Sequence, residues 1–462
     1  MRRERRSIVR TAGTVLATAL LAAAGAAQDQ APTAHPAMAH IQAYVEVFNA
    51  GVPGQMKTFY ATHLADQAVK EVPVDQRLTR FRGAKAQLKS LEIQRTVSDE
   101  AYQATVLAKA GSGTFLLIKA STEKASPFKL LSLALELVDD PNNIVVPEPK
   151  AGEKELVEAV RDYLATQTKA DEFSGVVLVA KDFRVLFHEA YGFADRDKQV
   201  PNKKDTKFNL GSINKIFTRV AIQQLAHQGK LSLDDPIKKF LPDYPNAQAA
   251  EKVAIRQLLN MTSGIGDFFG ERYDAAPKEK IRTLQDYLPF FADQPLEFEP
   301  GTSNKYSNGG YIVLGLIIEK ASGLDYYTYV RQNIFKPCGM LDTDAFARDG
   351  DTPNLARGYT REQRTGGGPR VLNFATLPGR GSSAGGGYST AADMLKFVQA
   401  VKDKKIFLPD AASGIGIAGG APGINSVVEW DPSSGYCVIV LTNFDPPTAG
   451  DVSRRIRSWL PR

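Results

Sequence analysis

The apolar positions of the chain follow a helical spacing first and strand-like runs afterwards. Ile41, Tyr44, Val45 and Phe48 fall on one helix face, in a pattern that begins near Ala37 and stops at Asn49-Ala50-Gly51. A second helix is predicted over 54–64. Strand-like runs occupy 91–95, 101–108, 114–120 and 130–137. Helices followed by strands predict a small α+β unit over 28–140. Asp139-Asp140-Pro141-Asn142-Asn143 through Pro147-Glu148-Pro149 interrupts the pattern and reads as a linker, 141–152. A second domain, 153–462, then opens with a helix over 153–168. Its next runs, 175–180 and 185–191, predict a hairpin around Lys181-Asp182-Phe183-Arg184. The middle of this domain reads as helix-rich. Its end returns to strands at 426–430 and 436–442 around Asp431-Pro432-Ser433-Ser434-Gly435, with a last helix over 451–460. Strands at both ends with helices between imply an α/β (α+β) fold, in which one antiparallel sheet is built from both termini of the domain.

Charge changes this picture only at the start. Arg2, Arg3, Arg5, Arg6 and Arg10 precede an apolar run from Thr11 to about Ala24, and Ala24-Gly25-Ala26-Ala27 offers a cleavage site. Segment 1–27 therefore reads as an export signal, with a periplasmic or secreted destination and no stable membrane span after cleavage. Arg5-Arg6 hints at twin-arginine export. The segment holds five Arg and one Glu, so the rest of the chain carries only about +2 of the formal +6. The basic balance belongs to the targeting segment and points to no nucleic-acid partner. Cys338 and Cys437 each sit in an apolar run and read as buried thiols rather than a disulfide framework.

The chemistry begins with a choice among three S-x-x-K sequences: Ser121–Lys124, Ser126–Lys129 and Ser212–Lys215. The first two lie between strands, and Pro127 interrupts the second. Ser212 instead opens an amphipathic run with Ile213, Ile216, Phe217, Val220, Ala221 and Leu225. Residues three apart on a first helical turn share a face, so Lys215 can reach Ser212 Oγ. The helix N-terminus adds positive potential where an oxyanion develops, and burial lowers a lysine's pKa toward that of a base. The bland reading is a serine N-cap beside an exposed lysine. Against it stands Tyr306-Ser307-Asn308, between Glu299-Pro300-Gly301-Thr302 and a helical run over 311–320. From such a loop Tyr306 can pass a proton and Asn308 can hold Lys215 and orient a substrate amide. Tyr244-Pro245-Asn246 has the same spacing but lies in a proline-rich loop.

Other designs fail on context. Gly381-Ser382-Ser383-Ala384-Gly385 matches the G-x-S-x-G elbow, which needs a later histidine; His35, His40, His63, His188 and His227 all precede it. Gly414-Ile415-Gly416-Ile417-Ala418-Gly419 matches G-x-G-x-x-G, but Gly420-Ala421-Pro422-Gly423 cannot open the helix that dinucleotide binding needs. No H-E-x-x-H or Cys/His cluster suggests a metal, and no cofactor is expected.

With Ser212-Ile213-Asn214-Lys215 and Tyr306-Ser307-Asn308 in this order, residues 155–460 resemble the class C β-lactamase and DD-peptidase family of penicillin-recognising serine hydrolases. Supporting stretches are Gly229-Lys230-Leu231 through Asp234-Asp235-Pro236, Ile255 to Gly264, Glu299-Pro300-Gly301, Phe335 to Met340 and Gly385 to Met394. The opening of the first unit, 41–60 with Phe48-Asn49-Ala50-Gly51, resembles the SnoaL-like cone. The family resemblance implies an acyl-enzyme on Ser212, with Lys215 as base and Tyr306 as proton carrier, acting on a small-molecule or peptide ester or amide. The family's third motif, K-T-G or H-x-G, falls on Ile417-Ala418-Gly419, where the cationic or imidazole residue is absent. Gly419 and Gly420 would still line the site, Gly420 N–H completing an oxyanion hole with Ser212 N–H. Arg364-Thr365-Gly366 looks similar but sits in a glycine-rich loop ahead of the strand. Without that residue the expectation is weak action on penicillins and D-Ala-D-Ala ends, with esters or uncharged amides favoured. The alternative is a family member with lost turnover that binds a cell-wall peptide or acyl ligand.

Overall fold

The computed structural model describes residues 35–100, 102–138, 152–361, 368–409 and 411–460. Segment 1–27, nearly all of the linker and Arg364-Thr365-Gly366 lie outside the described residues. The chain divides into two compact units, Met1–Val146 and Pro147–Arg462.

The first unit carries helices α1 (Pro36–Ala50), α2 (Pro53–His63), α3 (Asp66–Glu71) and α4 (Val74–Leu88). Strands β1 (Leu91–Glu100), β2 (Gln103–Ala110), β3 (Phe115–Thr122) and β4 (Leu130–Val138) follow and pair in chain order as one antiparallel sheet. Helix α1 buries Ala37, Ile41, Tyr44 and Phe48. They pack on the inward-facing alternate residues Ala104, Val106 and Ala108 of β2 and Leu116, Ile118 and Ala120 of β3. Two helices, α3 and α4, stand where the apolar pattern indicated none. Helix α4 buries only Leu78, Phe81 and Leu88, among Arg77, Arg80, Arg82 and Lys85, so its apolar stripe is too thin to stand out.

In the second unit, α5 (Glu153–Lys169) precedes β5 (Gly175–Lys181) and β6 (Arg184–Tyr191). The unit ends with β7 (Ile415–Ala421), β8 (Ile424–Trp430) and β9 (Tyr436–Thr442). These five strands form one sheet in the order β7-β8-β9-β5-β6, with every neighbour antiparallel. Both ends of the domain thus supply the sheet, as the alternation of elements implied. The strands read as continuous apolar runs because both faces are covered. Val177, Val179, Val438 and Val440 pack with Leu156, Val160 and Leu164 of α5 and with Val452, Ile456 and Trp459 at the C-terminus. Their neighbours Val176, Leu178, Ile439 and Leu441 face a larger helical core.

That helical core is organised by α6 (Lys215–His227), α7 (Asn308–Ser322) and α8 (Ala391–Lys402), with the closing helix α9 (Thr448–Arg457) on the other face of the sheet. Helix α7 is buried almost all round, from Asn308 to Ile318. The stretch between α6 and α7 is less regular than a helix-rich reading suggests. Among the described residues it holds only short helices and turns, and Pro277, Pro289, Pro295 and Pro300 account for much of that. Cys437 is buried and Cys338 half-buried, both as free thiols. No helix among the described residues is long and apolar enough to cross a membrane.

Candidate active site

Ser212 stands in a tight 3-10 turn, Gly211–Asn214, that leads directly into α6. The sequence dictates the turn locally. Asn209 Oδ1 accepts from Gly211 N at 2.9 Å, and Gly211 adopts φ +52°, a left-handed value suited to glycine. From that turn Lys215 projects into the interior and is only 7% exposed. Its apolar neighbours Ile213, Ile216 and Phe217 anchor the turn in the core.

Three oxygens surround Lys215 Nζ. Asn308 Oδ1 is at 2.7 Å, Ala384 O at 2.5 Å and Ser212 Oγ at 3.3 Å. The rings of Tyr306 and Tyr311 flank it, with centroids at 4.8 and 5.4 Å. Burial lowers the Lys215 pKa to about 7, against a smaller upward pull from Asp267. A neutral amine has two N–H bonds and one lone pair. Two of its three neighbours are carbonyl oxygens that only accept, so the lone pair is left for the Ser212 hydroxyl.

The opposite side of Ser212 Oγ is held by Tyr306, whose hydroxyl donates to it at 2.6 Å. Burial raises the Tyr306 pKa and Asp267 adds to the rise, while the bond to Ser212 lowers it. Tyr306 therefore keeps its proton, while the lysine amine is the group free to take one. The loop that carries Tyr306 is pinned by Ser307, the N-cap of α7, whose Oγ accepts from Gly310 N at 2.8 Å and donates to Gly266 O at 2.9 Å. Ser307 thus caps the helix. Asn308 occupies the first helical position and turns its amide to the lysine.

Sequence spacing did not identify two further members of the cluster. Asp267 Oδ2 accepts from Asn308 Nδ2 at 2.7 Å and from Asn308 N at 3.3 Å. A carboxylate only accepts, so it orients the amide with Oδ1 toward Lys215. Nothing in the spacing of Asp267 marks it out. The second member is the carbonyl of Ala384, inside the G-x-S-x-G look-alike. There Ser383 is fully buried and donates to Tyr311 O at 2.8 Å, and Ser383 O accepts from Thr218 at 2.8 Å. The motif that mimics a nucleophile elbow holds the lysine instead.

Gly419 and Gly420 lie on β7, at the edge of the sheet beside the Ser212 turn. A Cβ on Gly419 would come within 2.0 Å of Leu210 O and 2.8 Å of Ser212 N; one on Gly211 would come within 2.8 Å of Gly420 N. Only glycines allow this approach. Ile417 packs against the core and brings no charge to the site. No group of three or more metal-ligating side chains converges among the described residues.

Comparison with known proteins establishes the family of the second unit. The family model described as Beta-lactamase matches residues 158–412. Penicillin-binding protein 4* of Bacillus subtilis is 36% identical over 179 residues, 38% of this chain and 39% of that protein. The chain thus spans about two fifths of that relative's length. The putative penicillin-binding protein PbpX of B. subtilis is 28% identical over 71% of this chain and 85% of its own. Among solved structures, a penicillin-binding protein from Bacillus halodurans superposes with a TM-score of 0.58 at 31% identity, covering 64% of this chain and 99% of that one. With a family match over more than half of its length, this chain belongs to the Beta-lactamase family of penicillin-binding-protein-like serine hydrolases.

Proposed function

We propose that this protein hydrolyses an ester or an uncharged amide through an acyl-enzyme on Ser212. Lys215 removes the Ser212 proton as Oγ attacks the substrate carbonyl. Tyr306 supplies a proton to the leaving group and is reprotonated from the Lys215 ammonium, since the acylated Ser212 Oγ carries no proton. Ser212 N–H and Gly420 N–H receive the developing oxyanion. Water then releases the acyl group by the same path in reverse. The observation that carries this reading is the Lys215 amine, buried, with two carbonyl acceptors and one hydroxyl as its hydrogen-bond partners among the described residues.

The substrate preference follows from Ile417. An aliphatic side chain neither pairs with a carboxylate nor donates a hydrogen bond, so a substrate without a negative charge beside the scissile bond suits this strand best. The same residue supports a second reading, a protein that binds an acyl ligand or cell-wall peptide with little turnover. Treatment with a fluorophosphonate probe separates the two: an enzyme gains a covalent adduct that Ser212→Ala abolishes. Short-chain aryl esters, nitrocefin and D-Ala peptides, assayed in parallel, then rank the substrate classes. Rapid nitrocefin turnover would overturn the preference for uncharged substrates.

The basic and apolar segment 1–27 supports export, testable by secretion of a reporter fused after residue 27. For the first unit, the order of helices and then an antiparallel meander supports a SnoaL-like cone.

A further inference from the structure

The oxyanion donor proposed above belongs to an unusual peptide unit. The bond between Gly419 and Gly420 carries Gly419 C=O at one end and Gly420 N–H at the other. Glycines flank it on both sides, so no side chain restricts its rotation. It also lies on the edge strand β7, which has a neighbour on one side only. The ladder pairs Gly419 with Ser426 and holds its carbonyl toward β8, so the aim of the Gly420 N–H depends on how firmly that carbonyl is held.

We propose that Asn425 is a positioning residue that orients the Gly419–Gly420 peptide and so aims the Gly420 N–H at the oxyanion. This inference rests on the acyl-enzyme reading. Asn425 is buried, 6% exposed, and stands opposite Gly420 on β8. Its Nδ2 donates to Gly419 O at 3.0 Å. Its Oδ1 accepts from Ala449 N, in the first turn of α9, at 2.6 Å. The backbone N–H of Ala449 can only donate, so the amide has a single orientation, with its NH2 toward Gly419 O. The hydrogen bond therefore acts on the carbonyl of the very peptide whose N–H faces Ser212. Together with the ladder pairing to Ser426 it fixes the plane of that unit, and it increases the polarity of its N–H.

Ladder geometry sets the direction of the N–H. Ala421 and Ile424 close the two-residue turn at Pro422-Gly423, and Gly420 with Asn425 is the next pair. Hydrogen-bonded and non-bonded pairs alternate along an antiparallel ladder. The closing pair of a two-residue turn is bonded, so Gly420 N–H points away from β8. On that side lies the Gly211–Ser212 turn. The turn is anchored independently: Asp445 Oδ1 accepts from Gly423 N at 2.7 Å and Asn373 Nδ2 donates to Pro422 O at 2.8 Å. Loss of Asn425 would therefore leave Gly419 O with its ladder partner Ser426 alone and loosen the peptide plane without releasing the hairpin.

The test is Asn425→Asp, which keeps an acceptor for Ala449 N but sets a second oxygen against Gly419 O. Three quantities are compared with wild type on an aryl ester: kcat and KM, affinity for an aryl boronic acid that forms a tetrahedral anion on Ser212, and the pH dependence of kcat/KM. Deleting a donor outright lowers kcat by about 10²–10³, so misaiming one is expected to lower it by roughly 10–100-fold. KM should stay within about twofold, boronate affinity should fall in parallel with kcat, and the acid limb set by Lys215 should not move. A general loosening of the fold would shift all of these together with the melting temperature. If Asn425→Asp does not fold, Asn425→Ala, which removes the donor to Gly419 O, carries the same expectation. Wild-type kcat and boronate affinity in a folded variant would overturn the positioning role alone. A wild-type protein that gains no adduct on Ser212 would overturn the hydrolase reading and this inference with it.

Discussion

Replacing Lys215 by methionine exposes the physical cost of the proposed base. In an unfolded chain the amine has the ordinary lysine pKa of 10.5, and in the folded protein burial brings it to about 7. At 1.36 kcal/mol per pH unit, that difference is about 5 kcal/mol of folding free energy. Below pH 7 both states bind the proton, and the fold bears the whole cost. Above 10.5 neither state binds it, and the cost is gone. Between these limits the unfolded chain holds one more proton, so wild-type stability rises with pH. From pH 7 to pH 9 the gain amounts to about 2 kcal/mol. Lys215→Met removes the titrating group while keeping its length. It also leaves Asn308 Oδ1 and Ala384 O without a donor, at about 1–3 kcal/mol each, but that loss does not depend on pH.

The assay is urea unfolding of wild type and Lys215→Met at pH 7, 8 and 9. Wild type should gain about 2 kcal/mol on the variant across this range. In the active protein, log kcat/KM for an aryl ester should rise with unit slope below about pH 7 and level off above it, because only the neutral amine accepts the serine proton. Unfolding curves that keep a constant separation, or an acid limb centred near 10, would refute the reasoning. Either would mean that the amine stays protonated in the fold.

Four further outcomes follow from the same geometry. Tyr306→Phe removes the proton donor on Ser212 Oγ and should lower kcat by about 10²–10⁴-fold, with little loss of melting temperature because Tyr306 is 50% exposed. Asp267→Asn removes the one anion that favours the Lys215 ammonium, so the acid limb of kcat/KM should move below its wild-type position, as a pH-rate profile would show. Gly419→Ala sets a Cβ 2.0 Å from Leu210 O; β7 must move away from the Ser212 turn, costing about 1–3 kcal/mol in unfolding experiments and most of the fluorophosphonate labelling rate. Ile417→Lys places a cation on the site strand and should raise the rate on nitrocefin relative to an uncharged aryl ester; an unchanged ratio would show that the aliphatic residue does not set the preference.

Four of the five strands in the sheet of the second unit were legible because they are short apolar runs bounded by turn residues; β7, with Gly416, Gly419 and Gly420, has no such pattern. Asp431 to Gly435 and Lys181 to Arg184 mark two of those turns without ambiguity. Helix α4 was not legible, because three buried side chains among four cations make almost no amphipathic pattern. At the site, Ser212 and Lys215 could be placed together because one helical turn links them, and local spacing reports such pairs. Asp267 and Ala384 O reach the lysine site from loops 52 and 169 residues beyond Lys215. No periodicity connects them to it. A backbone carbonyl also has no sequence signature, so the oxygen that most constrains the amine, that of Ala384, is one a reading of side chains passes over.

The replacement at Ile417 separates two tasks that a single cation on this strand could otherwise share. A second positive charge near Lys215 would push its pKa down by repulsion, and the same charge would attract a substrate carboxylate. Here burial alone brings the amine to about 7, and the one nearby charge that acts on it, Asp267, opposes the shift. On the proposed mechanism the base is thus generated by the burial of Lys215, and Ile417 does not enter that shift. What the chain gives up at this position is electrostatic attraction for an anion, not the proton acceptor. A family member with an aliphatic third motif can therefore keep its nucleophile in working order and change the charge of the substrate it accepts. Ile417→Lys and Lys215→Met should accordingly act on different observables, the first on the ratio between substrates and the second on every substrate alike.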